Sequence, residues 1–211
     1  FSDEIYLNLY HDKTAAIPSI SKYIPNITIR GSSVSKVLSC GGYRLGWLIF
    51  PKQLASFYSK CRQLSSSIYS CASLPIQYAT AQILEQHEIC ENHFQMSREI
   101  FGFILSRVCT RLEGTELNFT KPNAAWYMLI SFDNYADKLS LLGIHDSIAL
   151  SSFLLQNIGI LTVAGQYFNY TGLSLRFSFI DFNHDDASKT NVNIDKMLKG
   201  IGILADYLKS L

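Results

Sequence analysis

The sequence has almost no net charge: 18 Lys and Arg stand against 17 Asp and Glu, for a formal charge of +1. It therefore lacks the basic field that draws nucleic acid or an anionic membrane. No apolar run approaches the roughly 18 residues of a membrane span. The start has no basic segment followed by an apolar one, so no signal peptide is expected. Cysteines are few and unpaired in pattern. Cys40, Cys61, Cys71, Cys90 and Cys109 are odd in number and no two are spaced C-x-x-C, which suits free, mostly buried thiols of a reducing compartment better than a disulfide framework. The five histidines are scattered, none joins a cysteine or carboxylate at metal-ligand spacing, and no metal site is expected. Internal repeats and low-complexity tracts are also missing. The triplets Asn26-Ile27-Thr28, Asn118-Phe119-Thr120 and Asn169-Tyr170-Thr171 match a glycosylation pattern short enough to arise by chance, and are read as unmodified. What remains is a cytoplasmic globular chain, 48% hydrophobic and thus able to bury a sizeable core.

The order of elements points to mixed α/β structure. "FSDEIY" reads as the end of a buried strand running into a loop. "NITIR", residues 26–30, alternates and is β-branched, which predicts a strand. The serine- and glycine-rich stretch after it reads as a loop, and residues 44–50, "RLGWLIF", as a buried strand. Pro51 suits the first turn of a helix over 52–63. The polar segment from Leu64 to Pro75 reads as a connection. A long helical stretch then runs to Leu112, with an interruption predicted within 87–93. Strands follow at 125–132, 159–165 and 174–180, with a capped helix over 146–157 and a last helix over 185–209. In the strand at 174–180, Leu175, Phe177 and Phe179 fall on one face, and Ser174, Arg176 and Ser178 on the other.

The chemistry concentrates in "GSSVSKVLSCGGYRLGW", residues 31–47. A lone lysine in a loop is ordinarily a solvated surface group. Lys36, however, has Ser33, Ser35 and Arg44 around it. A lysine amine becomes a covalent catalyst when it forms a Schiff base with a carbonyl, most often that of pyridoxal phosphate. That cofactor requires hydroxyls and a guanidinium for its phosphate, a carboxylate for its ring nitrogen and a donor for its phenolic oxygen. Ser33, Ser35 and Arg44 suit the first need, Asp3 the second and Tyr6 the third. Gly41 and Gly42 leave room for the backbone to approach a ligand. A phosphate-cradling P-loop fails here: Gly41 and Gly46 have its spacing, but Trp47 stands where it needs Lys, and a strand follows rather than a helix.

The constellation resembles the class I/II pyridoxal-phosphate aminotransferases of fold type I. It carries Ser2-Asp3-Glu4-Ile5-Tyr6 for that family's S-D-E-[IV]-Y, Ser33-Val34-Ser35-Lys36 for S-x-S-K, and Gly42-Tyr43-Arg44-Leu45-Gly46 for G-[WY]-R-[LIV]-G. "PIQYA" at 75–79 is similar to the start of the family's long interdomain helix, and "LRFSFIDF" to its strand bearing a substrate-binding arginine. Two turns depart from the pattern, with Asn123 for a glycine and Ala164 for a proline.

The resemblance implies the C-terminal part of the large, mostly parallel α/β domain at 1–95 and an α+β small domain at 96–211. It makes Lys36 the Schiff-base lysine and proton shuttle. Asp3 becomes the partner of the pyridinium and Tyr6 that of the phenolic oxygen. Ser33 and Arg44 bind the phosphate with Ser35 a weaker candidate, and Arg176 clamps the substrate carboxylate. On its own, Arg176 reads equally as one half of a surface salt bridge. The implied partners are an amino acid and a 2-oxo acid, in a homodimer. A β-lyase of the same fold type uses the same lysine and phosphate clamp, and a catalytically silent folding or interaction module is the non-enzymatic alternative. In this family roughly half of the polypeptide precedes the S-D-E-[IV]-Y strand. The chain is thus expected to be a C-terminal part that exposes apolar surface and needs its N-terminal half, or self-association, to bind cofactor and turn over.

Overall fold

A computed structural model describes residues 1–11, 18–181 and 190–210. The chain divides into two compact units, Phe1–Glu99 and Ile100–Leu211.

The first unit is built on a three-stranded sheet in the order β1 (Ser2–Asp3), β2 (Arg30–Ser33), β3 (Gly46–Ile49). β1 and β2 are parallel, with Asp3 beside Gly31; β3 is antiparallel to β2, with Gly46 beside Ser33. The strand expected at 26–30 lies later in the chain. The Thr28 hydroxyl donates to the Ile24 carbonyl at 2.7 Å and closes a turn there. Ser2 N–H donates to the Ile29 carbonyl, so the ladder opens at Arg30. A strand needs a partner as well as β-propensity, and β1 supplies one only from Arg30 onward. The serine stretch expected as a loop is therefore strand β2 followed by the one-turn helix α1 (Val34–Val37). β3 is shorter than expected and is not buried, since Leu48 and Ile49 are both exposed.

Helix α2 (Ala55–Ile68) follows, then α3 (Leu74–Glu85) and α4 (His87–Leu112). α2 runs past Gln63 into the serines expected as a connection. The Ser66 and Ser67 hydroxyls donate to the Gln63 carbonyl and so satisfy themselves on the helix instead of breaking it. None of the side chains of α2 is buried. The break in the long helical stretch falls at Gln86 (ψ 70°), just before the interval expected for it, with no proline or glycine to mark it.

The second unit holds an antiparallel sheet in the order β4 (Asn118–Phe119), β5 (Tyr127–Ser131), β7 (Ser174–Ser178), β6 (Val163–Ala164). Between the strands lie α5 (Ala136–Leu141) and α6 (Ser147–Ile158), and α7 (Thr190–Ser210) closes the chain. The start expected for this last helix, 185–189, lies outside the described residues. Asp146 caps α6 by accepting from the Ile148 and Ala149 amides at 2.9 and 2.8 Å, and Gly159 (φ 71°) ends it. The buried apolar side chains come from α4 (Ile104, Leu105, Val108), β5 (Met128, Ile130), α6 (Leu150, Leu154) and α7 (Leu204, Leu208). In β7, Leu175 and Phe177 are buried with Phe179 beyond them, as the alternation predicts; Ser174 is buried too, because the turn at Gly165 lies against it.

Candidate functional site

The residues singled out around Lys36 gather at one end of the first sheet. Asp3 is the last residue of β1 and Ser33 the last of the parallel β2; the chain then turns at once into α1, which carries Ser35 and Lys36. β3 runs the other way, so its beginning lies at the same end: Gly46 pairs with Ser33, and Arg44 stands two residues before it. Carboxyl ends of parallel strands are where open α/β sheets bind ligands, because the chain leaves the sheet there and opens a crevice.

Local chemistry fixes several of these positions. Ser33 is extended (φ −156°, ψ 167°) and its Oγ accepts from the Ser35 amide at 3.1 Å, which caps α1 and starts it. Val34 and Val37 are buried, and they anchor the turn that carries the half-buried Lys36. The Asp3 carboxylate accepts from the Ile5 amide at 3.2 Å and is exposed. Tyr6 sits half-buried in the turn after β1. Arg44 adopts a left-handed conformation (φ 55°, ψ 42°), and its Nη1 donates to the Gly41 carbonyl at 2.9 Å. Ser39 is left-handed as well, whereas Gly41 and Gly42 are not. A Cβ on Gly42 would meet nothing within 4 Å. The strain of this loop therefore falls on non-glycine residues, about 1–2 kcal/mol each; held backbone strain of this kind clusters at ligand sites. Gly46 is more confined than Gly42, since its added Cβ would lie 3.2 Å from the Ser32 carbonyl oxygen, and on Gly31 of β2 a Cβ would lie 2.6 Å from the Phe1 ring.

A cleft of about 570 Å³ opens on this sheet, lined by Asp3, Ser33 and Gly46 and by Tyr58 and Arg62 of α2. The lining brings Asp3 and Ser33 together; Tyr6, Ser35, Lys36 and Arg44 are not part of it.

Sequence reasoning missed the residue that holds this end of β1. Glu4 is buried. One carboxylate oxygen accepts from Arg30 Nε at 2.8 Å, and the other accepts a short bond from the Ser19 hydroxyl. Its amide donates to the Gly31 carbonyl at 2.8 Å. Burial pushes the carboxyl up, but the Ser19 and Arg30 bonds and the Arg30 charge outweigh it and hold Glu4 below its ordinary value. The only hint in the sequence is an acid beside Asp3 in "SDEIY". Its partners, 15 and 26 residues away, are visible only in the fold.

Arg176 belongs to the second unit. It stands in the middle of β7, opposite Leu129 of β5 on one side and Val163 of β6 on the other. Its guanidinium carbon lies 4.6 Å from the centre of the Tyr127 ring and 4.8 Å from that of Phe168. Nε is buried and makes no hydrogen bond. Among the described residues no carboxylate lies within 4.0 Å of it, so the surface salt bridge is not formed there. Tyr127 and Phe168 were not legible as neighbours of Arg176, since the pairing register and the turn that bring them there are tertiary.

The aminotransferase class I and II family model matches residues 1–189, and the chain belongs to that family. A probable N-acetyl-LL-diaminopimelate aminotransferase of Bacillus subtilis is 31% identical over 182 residues, covering 84% of this chain and 42% of that protein. A probable aspartate/prephenate aminotransferase of Aquifex aeolicus is 28% identical, covering 84% and 43% respectively. Among solved structures, an aromatic aminotransferase from Pyrococcus horikoshii superposes with a TM-score of 0.77 at 22% identity, covering all of this chain and 51% of that one. The fold is thus that of part of a fold type I aminotransferase, and the chain spans about half the length of the relatives it matches. Among the described residues no helix is long and apolar enough to cross a membrane.

Proposed function

We propose that this chain forms the C-terminal part of a pyridoxal-phosphate-dependent aminotransferase that moves an amino group from an L-amino acid to a 2-oxo acid. The observation that carries the reading is the gathering of Asp3, Ser33, Ser35, Lys36 and Arg44 at one end of the β1–β2–β3 sheet, in a chain of this family. The donor set fits the cofactor: a carboxylate and a hydroxyl line one cleft, and an amine and a guanidinium stand on the turns beside it. When bound, pyridoxal phosphate supplies an electron sink for the charge left at the substrate α-carbon.

Each residue then has one task. The Asp3 carboxylate keeps the ring nitrogen protonated, and the Tyr6 hydroxyl serves the phenolic oxygen. Ser33 and Arg44 bind the phosphate, with Ser35 the weaker donor. The Lys36 amine would hold the cofactor and would then move the proton at the substrate α-carbon. Arg176 binds the substrate α-carboxylate in two parallel bonds. Residues 1–95 belong on this reading to the cofactor-binding domain and 96–211 to the small domain, in a homodimer. The exposed Leu48 and Ile49 of β3, and Phe57, Leu64 and Ile68 of α2, are the apolar surface this proposal assigns to the preceding half of the protein. Relatives named for N-acetyl-LL-diaminopimelate, aspartate/prephenate and glutamate–pyruvate support amino acids and 2-oxo acids as the substrate class.

The test is incubation with pyridoxal phosphate, borohydride reduction and peptide mapping by mass spectrometry, on this chain and on the intact protein, each against Lys36→Ala. One label per chain at Lys36, lost in the variant, is the expected result. Equal labelling of the Lys36→Ala intact protein sinks the assignment.

A further inference from the structure

Arg176 is packed in a way that a carboxylate clamp does not by itself require, and the inference here rests on reading it as that clamp. The guanidinium of Arg176 is a planar cation whose five N–H donors lie in its plane, while its faces carry no donor. Two aromatic rings, Tyr127 at 4.6 Å and Phe168 at 4.8 Å, lie within cation–π range of its carbon. Rings attract the cation without accepting its in-plane hydrogens in the way a carboxylate does. No described carboxylate takes those hydrogens, and Nε is buried with no partner. The cation is therefore held and partly desolvated while its donor edge is left for another molecule.

The backbone fixes where both rings stand. Tyr127 pairs with Ser178 in the ladder that sets Leu129 opposite Arg176, so it is the diagonal neighbour of Arg176 across β5 and β7. Phe168 ends a tight turn, Gly165–Phe168, that follows β6 directly. That turn lies so close to β7 that a Cβ on Gly165 would sit 2.6 Å from the Ser174 carbonyl oxygen. Its exit is fixed by the left-handed Asn169 (φ 59°) and by the Tyr170 amide donating to the Gly165 carbonyl at 3.1 Å. The Gln166 amide also donates to the buried Ser147 hydroxyl at 3.1 Å.

We propose that Tyr127 and Phe168 are positioning residues that hold the Arg176 guanidinium edge-on to the substrate carboxylate. They act through Arg176, by fixing its plane before the substrate arrives, and so reduce the ordering that binding would otherwise require.

The experiment uses the intact protein with 3-phenylpropionate as a carboxylate probe that has no amine to react. Its dissociation constant is measured by titration calorimetry for the parent, Arg176→Lys, Phe168→Leu, Tyr127→Leu and the ring-preserving Phe168→Tyr and Tyr127→Phe. Each loss of a ring is expected to weaken binding by about five- to thirty-fold, the range of one partly desolvated cation–π contact. The ring-preserving variants are expected to bind as the parent does. In turnover, the leucine variants raise KM for the amino donor more than they lower kcat, as a loss of uniform carboxylate binding does. Leucine variants that bind the probe like the parent, while Arg176→Lys loses it, overturn the positioning role and leave the clamp standing. Parental binding by Arg176→Lys removes the clamp reading, and this inference with it. Phe168 is 44% exposed, so its leucine variant is expected to fold; if Tyr127→Leu does not, the Phe168 pair decides the question.

Discussion

Replacing Glu4 by Gln tests whether the end of β1, and with it Asp3, is held electrostatically. The Glu4 carboxylate accepts from the Arg30 guanidinium at 2.8 Å and from the Ser19 hydroxyl, with Ser2 as a further hydrogen-bond partner. A glutamine fits the same space: its oxygen can still accept from Arg30, and its amide can donate to Ser19, which then turns its own hydrogen toward Ser21 at 2.6 Å. Only the charge is lost. A bond to a charged group contributes about 1.5–3 kcal/mol and a neutral one about 0.5–1.5, so each exchange costs about 1 kcal/mol. The Arg30 side chain is 39% exposed, and its share is reduced by solvent. The sum is about 1.5 kcal/mol, or a fall of about 3–6 °C in Tm for a chain of this length.

The pH dependence supplies the sign. The folded state holds the Glu4 carboxyl below its ordinary value of 4.5. Its contribution is thus fully present above that value and is lost as pH falls through the folded value. Urea unfolding of parent and Glu4→Gln followed by circular dichroism at pH 7, about pH 4 and about pH 2 measures the gap directly, because the other carboxylates cancel in the difference. The gap should be present at pH 7 and close toward pH 2. A gap below about 0.5 kcal/mol at pH 7, a size typical of surface substitutions, refutes the reasoning, as does one that persists undiminished at low pH.

Ala125 is left-handed (φ 59°) and buried, a conformation that suits glycine; Ala125→Gly should raise stability by about 0.5–1 kcal/mol, read as an upward shift in Tm. Of the cysteines, Cys71 is exposed and Cys90 buried, and burial pushes the Cys109 thiol up against the pull of Lys121. Iodoacetamide at mildly alkaline pH should therefore alkylate Cys71 first and Cys109 late, a sequence that peptide mapping resolves. Early labelling of Cys109 would contradict its raised thiol.

The sequence determined the family, the elements with local signals and the choice of candidate residues. Asp146 and Gly159 bound α6 because a side-chain cap and a left-handed residue act within a few positions. Leu175, Phe177 and Phe179 mark a buried face because a strand has a period of two. The order Asp3, Ser33, Lys36, Arg44 was legible as a motif because those residues are near in sequence or fall in a recognisable order. The expected mostly buried thiols were not: only Cys90 is buried, and the others are half-buried or exposed. Long-range pairing decided the rest. β2 begins at Arg30, not Asn26, because β1 offers its hydrogen bonds there. Leu48 and Ile49 read as buried because they are apolar, yet exposure depends on what covers a strand, and no local pattern encodes that. Glu4 finds Ser19 and Arg30, and Arg176 finds Tyr127 and Phe168, only after strands and turns distant in sequence have been brought together. Residue chemistry is local and can be read along the chain. Which charge is held, and by what, depends on burial and register, and those exist only in the folded chain.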